Sequence, residues 1–156
     1  INSLEDQLNT ERKRVEETLT TIAKIHADEL VKSTTQSDST SIIVEFLDSG
    51  SVETSRLIVD RIRSQLDNVF VCIATEVDSK PFLMTASSKT AIENGLKADV
   101  LVRFAANICG GSGGGRAEFA QAGGKELSQI QEALDSLRKE CYRILSDKAT
   151  SSFESS

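Results

Sequence analysis

A run of glycines beside an arginine is the part of this sequence whose residue types could do chemistry. Residues 110–115 are Gly-Gly-Ser-Gly-Gly-Gly, and Arg116 follows directly. Because glycine accepts positive φ, successive N–H groups of such a run can turn to one side and hold an anion. The guanidinium of Arg116 adds a forked donor that suits phosphate. The run therefore predicts an anion-binding loop, and the alternative is that the glycines only let a helix and a strand pack closely.

Two known phosphate-binding motifs can be compared with this run, and neither matches. A P-loop has Gly-x-x-x-x-Gly-Lys-Ser/Thr between a strand and a helix, whereas Arg116-Ala117 stands where Lys-Ser/Thr is needed. A dinucleotide-binding Gly-x-Gly-x-x-Gly that starts at Gly111 has Arg116 at its third glycine position. Nucleotide hydrolysis is therefore disfavoured. The sequence indicates binding, and no residue is assigned a catalytic role.

The composition of the chain limits which other classes of function are expected. The 156 residues include three cysteines without a CxxC spacing, one histidine, and a net charge of −6. Neither a metal site nor a span of about 18 apolar residues is expected from such a sequence. The cysteines stand among apolar neighbours and are expected to be buried, with Cys109 the one most open to exposure. Residues 81–124 are net positive, with four basic and three acidic side chains, so phosphate binding would concentrate there.

Residues 1–32 are predicted to form one amphipathic helix. Apolar residues recur at the a and d positions of a heptad, and Glu11 and Thr18 interrupt the d positions. This pattern is typical of a weak coiled coil. The helix is therefore either a stalk that pairs with a second copy or a helix that packs on its own domain. The a and d residues are Ile1, Leu4, Leu8, Val15, Ile22 and Ile25.

A globular domain is predicted from residue 42 to residue 147. The polar run 33–41 predicts a linker, and the Ser-rich end 148–156 predicts a disordered tail. The fold class is α+β: a small mixed sheet packed with helices, preceded by the N-terminal amphipathic helix. The predicted strands are 42–47, 69–75, 82–87 and an edge strand at 118–122, with the second and third joined as a hairpin. The predicted helices are 51–66, 98–108 and a last one capped by Ser128.

The stretch from Lys97 to Leu134 resembles the C-terminal domain of alanyl-tRNA synthetases. In that family a helix leads into Gly-Gly-x-Gly-Gly-Gly-Arg, then Ala-Gln-Ala-Gly-Gly, then a closing helix, and here the two motifs stand at 110–116 and 120–124. The family often has Pro-Asp where this chain has Ala117-Glu118. The same fold occurs as the substrate-binding domain of DHH phosphoesterases, in which a histidine usually follows the glycines. Because Arg116 takes that place, phosphoesterase chemistry is not expected.

The resemblance implies a non-catalytic C-terminal tRNA-binding module of an alanine–tRNA ligase. In that family the module contacts the outer corner of tRNA(Ala) and supports aminoacylation and editing. The alternative function is a protein–protein or dimerisation module with weak or no RNA binding. The resemblance implies that the RNA-binding residues are Gly110, Gly111, Gly113, Gly114, Gly115, Arg116, Gln121, Gly123 and Gly124, together with Lys125 and Arg103.

The resemblance also implies a larger parent protein. The chain opens at Ile1 without a methionine, and we expect it to be a piece of a longer intracellular polypeptide. No cofactor is expected in the piece itself, and the ATP, Mg²⁺ and Zn²⁺ of such a ligase would bind elsewhere in the parent. The other domains of the synthetase are expected partners, and a homodimer through residues 1–32 stays open. The expected location is the cytoplasm or, for an organellar version, an organelle.

Overall fold

The computed structural model describes the backbone of residues 2–33, 36–37, 40–48 and 51–154, and the side chains of residues 3–32, 40–48 and 51–147. The helices are α1 (Asn2–Ser33), α2 (Val52–Gln65), α3 (Lys89–Glu93), α4 (Ala98–Ile108) and α5 (Ile130–Glu154). The strands are β1 (Gln36–Ser37), β2 (Thr40–Leu47), β3 (Val69–Val77), β4 (Lys80–Ser87), β5 (Ser112–Gly115) and β6 (Phe119–Gly123).

The strands form one mixed sheet in the order β1-β2-β3-β4-β6-β5. β2 and β3 are parallel and are connected through α2, whereas the other neighbouring pairs are antiparallel. Ser51 accepts a hydrogen bond from the Thr54 N–H and caps α2, as the sequence predicts. Asp78 and Ser79 have positive φ at the turn between β3 and β4, and the predicted hairpin is confirmed. The predicted α+β fold class is confirmed as well.

Helices cover the sheet on both faces and create two apolar cores. Alternate residues of β3 point to opposite sides, so Val69, Val71 and Ile73 pack with α1 and α2. Phe70 and Cys72 pack with α4 and α5 on the other side. The sheet is therefore the middle layer of three, and its outermost strand on one side is β5.

All three cysteines are buried in the core beneath α4 and α5, including Cys109, so the expected burial is confirmed. Burial raises the pKa of the Cys141 thiol to about 12 and also raises the pKa values of Cys72 and Cys109. The thiols therefore stay protonated and pack as small apolar groups.

The predicted linker and tail boundaries differ from the structure. Gln36–Ser37 pairs with the start of β2, and β2 already begins at Thr40, so the linker prediction is wrong at these residues. Ser41 is buried, and its N–H donates to the Asn68 carbonyl at 3.0 Å, so this backbone donor is satisfied inside the fold. The predicted turn residues Ser49 and Gly50 lie outside the described residues, as do positions 34–35 and 38–39 of the linker.

The C-terminal helix also differs from the prediction at both ends. Ser128 lies within a 3-10 turn (Leu127–Gln129) and not at a helix N-cap. α5 then continues to Glu154, where the sequence predicts a disordered tail from residue 148. The stretch 148–154 contains neither glycine nor proline, so it has no residue that ends a helix.

The C-terminal part of α1 packs on the domain through a face other than its heptad stripe. Ala23, Ala27 and Leu30 are buried against the core that also contains α2. Asp28 adds a polar contact, because it accepts a hydrogen bond from Gln65 and pairs with Arg61 at 3.5 Å. The hydrogen bond from Gln65, with the nearby Arg61 charge, holds the pKa of the Asp28 carboxyl below its usual range.

Candidate nucleic-acid interface

The glycine run is largely a strand at the edge of the sheet. Ser112–Gly115 forms β5, which pairs antiparallel with β6 and has no strand on its other side among the described residues. The sequence predicts a loop at this position, which is wrong. The strand predicted at 118–122 is confirmed as β6, but its predicted place at the edge of the sheet is wrong. β6 lies one strand further in, between β4 and β5.

The missing Cβ atoms explain why glycine occupies this strand. An ideal Cβ on Gly111 would lie 1.9 Å from the Gly123 carbonyl oxygen, and one on Gly113 would lie 2.3 Å from the Cβ of Ala122. One on Gly115 would lie 2.7 Å from the Phe119 carbonyl oxygen. Such distances leave no room for a side chain. The alternative that the glycines allow close packing therefore holds for these three positions.

The first two glycines of the run end α4. Gly110 has φ of +72°, the left-handed conformation that commonly follows a helix C-cap. Its N–H donates to the Asn107 carbonyl at 3.2 Å, and the Gly111 N–H donates to the Ala106 carbonyl at 2.8 Å. These amides satisfy the last carbonyls of the helix and are not free to hold an external anion.

The predicted nest of inward-turned amides is therefore wrong. Besides Gly110 and Gly111, the N–H of Arg116 donates to the Phe119 carbonyl at 2.8 Å, and that of Lys125 donates to the Cys109 carbonyl at 2.9 Å. The Gly124 N–H donates to the Pro81 carbonyl. Any anion at this surface must instead use the outward amides of the edge strand and the side chains around it.

Two glycine amides of β5 point to that open edge. Hydrogen-bonded and non-hydrogen-bonded pairs alternate along an antiparallel ladder. The hydrogen bond from the Arg116 N–H to the Phe119 carbonyl shows that Arg116 and Phe119 form a hydrogen-bonded pair. Gly115 and Gly113 are then the non-hydrogen-bonded residues, and their N–H groups face away from β6. The Gly113 carbonyl also faces away from β6, because it accepts a hydrogen bond from Nε of Arg103 at 3.2 Å.

Three exposed basic residues lie along the length of α4 beside this edge. Arg116 lies at the start of the helix, because its neighbour Ala117 accepts a hydrogen bond from the Ala98 N–H. Arg103 lies in the middle of the helix, and Lys125 lies at its end, next to Cys109. All three side chains are exposed. We call Arg116, Arg103 and Lys125 the basic row.

The basic row has acidic neighbours, so its charge excess is small. Glu118 is exposed in the same turn as Arg116, and Glu126 is exposed beside Lys125. Neither Arg116 nor Lys125 has a side-chain ion pair in the part of the chain that the structure describes. Their charged groups are thus available to a phosphate. The row spans α4, whose 11 residues extend about 16 Å at about 1.5 Å per residue.

The structure brings the other predicted site residues to the same edge. Gln121 is half-buried on β6 and lies across from Gly114. An ideal Cβ on Gly114 would meet the guanidinium of Arg103 at 2.9 Å, so that guanidinium lies directly on the strand. Gly123 continues β6 and is exposed, whereas Gly124 is buried against Cys109 and Pro81.

Sequence reasoning missed one contact beside this edge. The guanidinium of Arg56, on α2, lies 5.1 Å from the centre of the Phe119 ring on β6, within the range of a cation–π interaction. No local pattern could connect two residues so far apart in the chain. The only available signal was an arginine on a predicted helix and an aromatic residue next to the glycine run.

The described residues contain no group of three or more His, Cys, Asp or Glu side chains placed to hold a metal ion. Within the same residues, no helix combines the length and the apolar character needed to cross a bilayer.

The fold is a three-layer α+β domain whose glycine edge strand lies beside a row of basic residues. Residues 39–143 match the model of the DHHA1 domain family, and the chain belongs to that family.

Proteins similar to this chain include alanine–tRNA ligases. The chain is 36% identical over 138 residues to an alanine–tRNA ligase of Rhodopirellula baltica and 30% identical over 145 residues to one of Bacillus pumilus. These matches cover 86% and 93% of this chain but only 15% and 16% of the relatives. The C-Ala domain of Aquifex aeolicus alanyl-tRNA synthetase is similar with a TM-score of 0.61 and 26% identity, over 73% of this chain and 98% of that one.

A second solved structure supports the fold alone. The DHH domain of a member of the s1p family of ribosomal proteins superposes with a TM-score of 0.55 at 14% identity, over 86% of this chain and 32% of that one. The predicted likeness to alanyl-tRNA synthetases and to DHH proteins is confirmed by these comparisons.

The glycines differ in what a methyl group would disturb, and this gives a stability prediction. Gly111→Ala and Gly113→Ala place a Cβ against backbone atoms, so we expect each to lower the free energy of unfolding by about 1–3 kcal/mol or more. Gly114→Ala meets only the end of the Arg103 side chain, which can move, so its cost should stay within about 0.5 kcal/mol. Urea denaturation of the three variants measures this. Equal losses in all three would contradict the packing explanation.

Proposed function

We propose that this chain is the tRNA-binding C-terminal module of an alanine–tRNA ligase, contacting the outer corner of tRNA(Ala). The observation that carries the proposal is the basic row beside two outward amides on an open strand edge. Guanidinium and amide N–H groups are the donors that bind phosphate oxygens. The similar C-Ala domain, which belongs to an alanyl-tRNA synthetase, supports the choice of partner.

The interface suits contacts to an RNA backbone better than base-specific contacts. A strand without side chains lets a sugar-phosphate chain approach closely, and a row of about 16 Å spans several nucleotides. Backbone-directed binding reads the shape of folded RNA with little sequence specificity. The net charge of −6 and the acidic neighbours limit the affinity of the isolated module. Tethering to further tRNA-binding domains would compensate through effective concentration.

The reaction itself belongs to other parts of the proposed parent. The chain spans only 15–16% of the length of the curated relatives reported above. In this proposal alanine activation, tRNA charging and editing, with their ATP, Mg²⁺ and Zn²⁺, take place outside this module in a cytoplasmic or organellar ligase. The module contributes by holding the tRNA so that these sites retain it.

Removing the two arginines tests the proposal. In an Arg103→Ala/Arg116→Ala variant we expect tRNA affinity to fall about tenfold, or about 1.4 kcal/mol. Each lost phosphate contact should also reduce the slope of log K against log salt by about 0.7–0.9. Filter binding of tRNA at several salt concentrations measures both quantities.

Arg63→Ala is the matched control, since it removes the same charge from an exposed position on α2. We expect its affinity and salt slope to stay close to wild type. An arginine double variant that binds tRNA as tightly as this control, with the same slope, would refute the proposed interface.

A second candidate function is dimerisation through α1, and one observation favours it. The described a and d residues of the heptad, which are Leu4, Leu8, Val15, Ile22 and Ile25, are between 51% and 69% exposed. This stripe lies on a different face from Ala23, Ala27 and Leu30, which pack on the domain. We propose a second copy of α1 as the partner of the stripe in the dimeric form.

A charge placed in the stripe tests this candidate. If α1 forms a dimer seam, Leu8→Glu should shift the protein from dimer to monomer in light scattering, because two carboxylates would face each other at an a position. Thr10→Glu introduces the same charge at an exposed position outside the stripe and should leave the dimer intact. A wild-type protein that is monomeric at high micromolar concentration would exclude the seam.

A further inference from the structure

We propose that the sheet face beside α2 binds an unpaired nucleobase, on the surface formed by Phe119, Gln121, Gly114 and the guanidinium groups of Arg56 and Arg103. We call this the base site. It rests on the proposed RNA-binding function and adds to it a second kind of contact, to a base and not to the backbone.

Strand register places these residues on one face of the sheet. Gln121 lies across from Gly114 on one side and from Met84 on the other. Residues directly opposite in neighbouring strands share a face, and so do residues two apart in one strand. Phe119 is therefore on the same face as Gln121. Because Met84 and Phe119 pack with the core of α1 and α2, this is the face that those helices cover.

The two helices leave the outer part of that face open. Met84 is fully buried, whereas Phe119 and Gln121, one strand further out, are only half-buried. On β5, Gly114 contributes no side chain. The outer part of this face therefore consists of the half-buried Phe119 and Gln121 side chains and of the Arg103 guanidinium, which lies over Gly114.

The first part of the base site is a guanidinium that lies over a phenyl ring. Arg56 lies 5.1 Å from the centre of the Phe119 ring. Its side chain is 61% exposed and its charge is paired only loosely with Asp60 at 3.9 Å. The side of the guanidinium that faces away from Phe119 is thus open to solvent. Guanidinium planes and aromatic rings are the surfaces on which single-stranded RNA bases stack.

The second guanidinium of the base site is that of Arg103. Its Nε donates to the Gly113 carbonyl, and its Nη2 lies 2.9 Å from where a Cβ on Gly114 would stand. This arginine belongs to the basic row as well, so a base in the base site would remain connected to a phosphate beside Arg103. Gln121, on the strand between Gly114 and Met84, has an amide with both a donor and an acceptor for the edge of a base.

The combination favours a nucleobase over an apolar peptide. A peptide side chain would need an apolar pocket, whereas the base site contains two guanidinium groups and a polar amide. A planar, polar, aromatic group bound next to a phosphate is the chemistry that such an arrangement recognises.

The test compares two single strands that differ only in their bases. Fluorescein-labelled hexa-adenylate RNA and a hexamer of abasic ribose phosphate are titrated with the wild-type chain, and anisotropy gives both affinities. We expect at least a fivefold preference for the strand with bases, since one stacked base contributes roughly a factor of 5–150. Equal affinities would overturn the base site and leave phosphate binding standing. Binding of neither strand by a chain that still binds tRNA would overturn the base site alone, whereas loss of tRNA binding as well would overturn both proposals.

Variants separate the base site from the basic row. Arg56→Ala and Gln121→Ala should reduce the preference for the strand with bases to about twofold or less, with little change for the abasic strand. Arg116→Ala should weaken the binding of both strands by a similar factor and preserve the preference for the strand with bases. Arg63→Ala removes an exposed arginine on the same helix as Arg56 and should change neither. A preference that survives Arg56→Ala and Gln121→Ala would overturn the assignment.

A fluorescence measurement checks the position of the base. The chain contains no tryptophan, so Phe119→Trp introduces a single indole in the base site. A base that stacks there should quench its emission when hexa-adenylate is added, and the abasic strand should not. Unchanged emission at saturating hexa-adenylate would place the base elsewhere and overturn the proposal, provided that the variant gives the wild-type circular dichroism spectrum.

Discussion

The close approach of β5 to β6 is the constraint on which the candidate interface depends. Gly111, Gly113 and Gly115 have no room for a Cβ, because the backbone or Cβ atoms of β6 and the residue after it occupy that space. The short strand can therefore join the sheet directly after α4, with Gly110 in the left-handed conformation that ends the helix. Once the strand is paired, half of its polar backbone groups must face outward. An exposed edge with donors is thus a consequence of the packing.

The same arrangement decides which groups an anion could meet. Hydrogen bonds within the domain occupy the amides of Gly110, Gly111, Arg116 and Lys125, so the anion cannot be enclosed by the glycine run. It would instead lie along the edge, between outward amides and the basic row. An open edge is also a hazard, because it can pair with strands of other molecules. Arg103 reduces that hazard by donating to the Gly113 carbonyl, which gives this arginine a structural role as well as a proposed binding role.

Much of the fold could be predicted from the sequence, and the exceptions have physical causes. Apolar β-branched runs and a capped amphipathic helix identified β2, α2, β3 and β4, since those signals are local. Glycine is depleted in strands, and Ser112–Gly115 forms a strand by pairing with β6, where Ala122 and Ala120 lie opposite Gly113 and Gly115. That dependence on a partner is not visible locally. The Arg56–Phe119 contact is likewise created by the packing of α2 on the sheet.

The most direct test of the account follows individual glycine amides during tRNA binding. In a ¹⁵N-labelled chain, the account predicts that tRNA shifts the amide resonances of Gly113 and Gly115, which face the open edge. The resonances of Gly110 and Gly111, whose N–H groups are bonded within the domain, should move much less. Shifts confined to Gly110 and Gly111, or no shift of any glycine at saturating tRNA, would contradict the edge-strand interface.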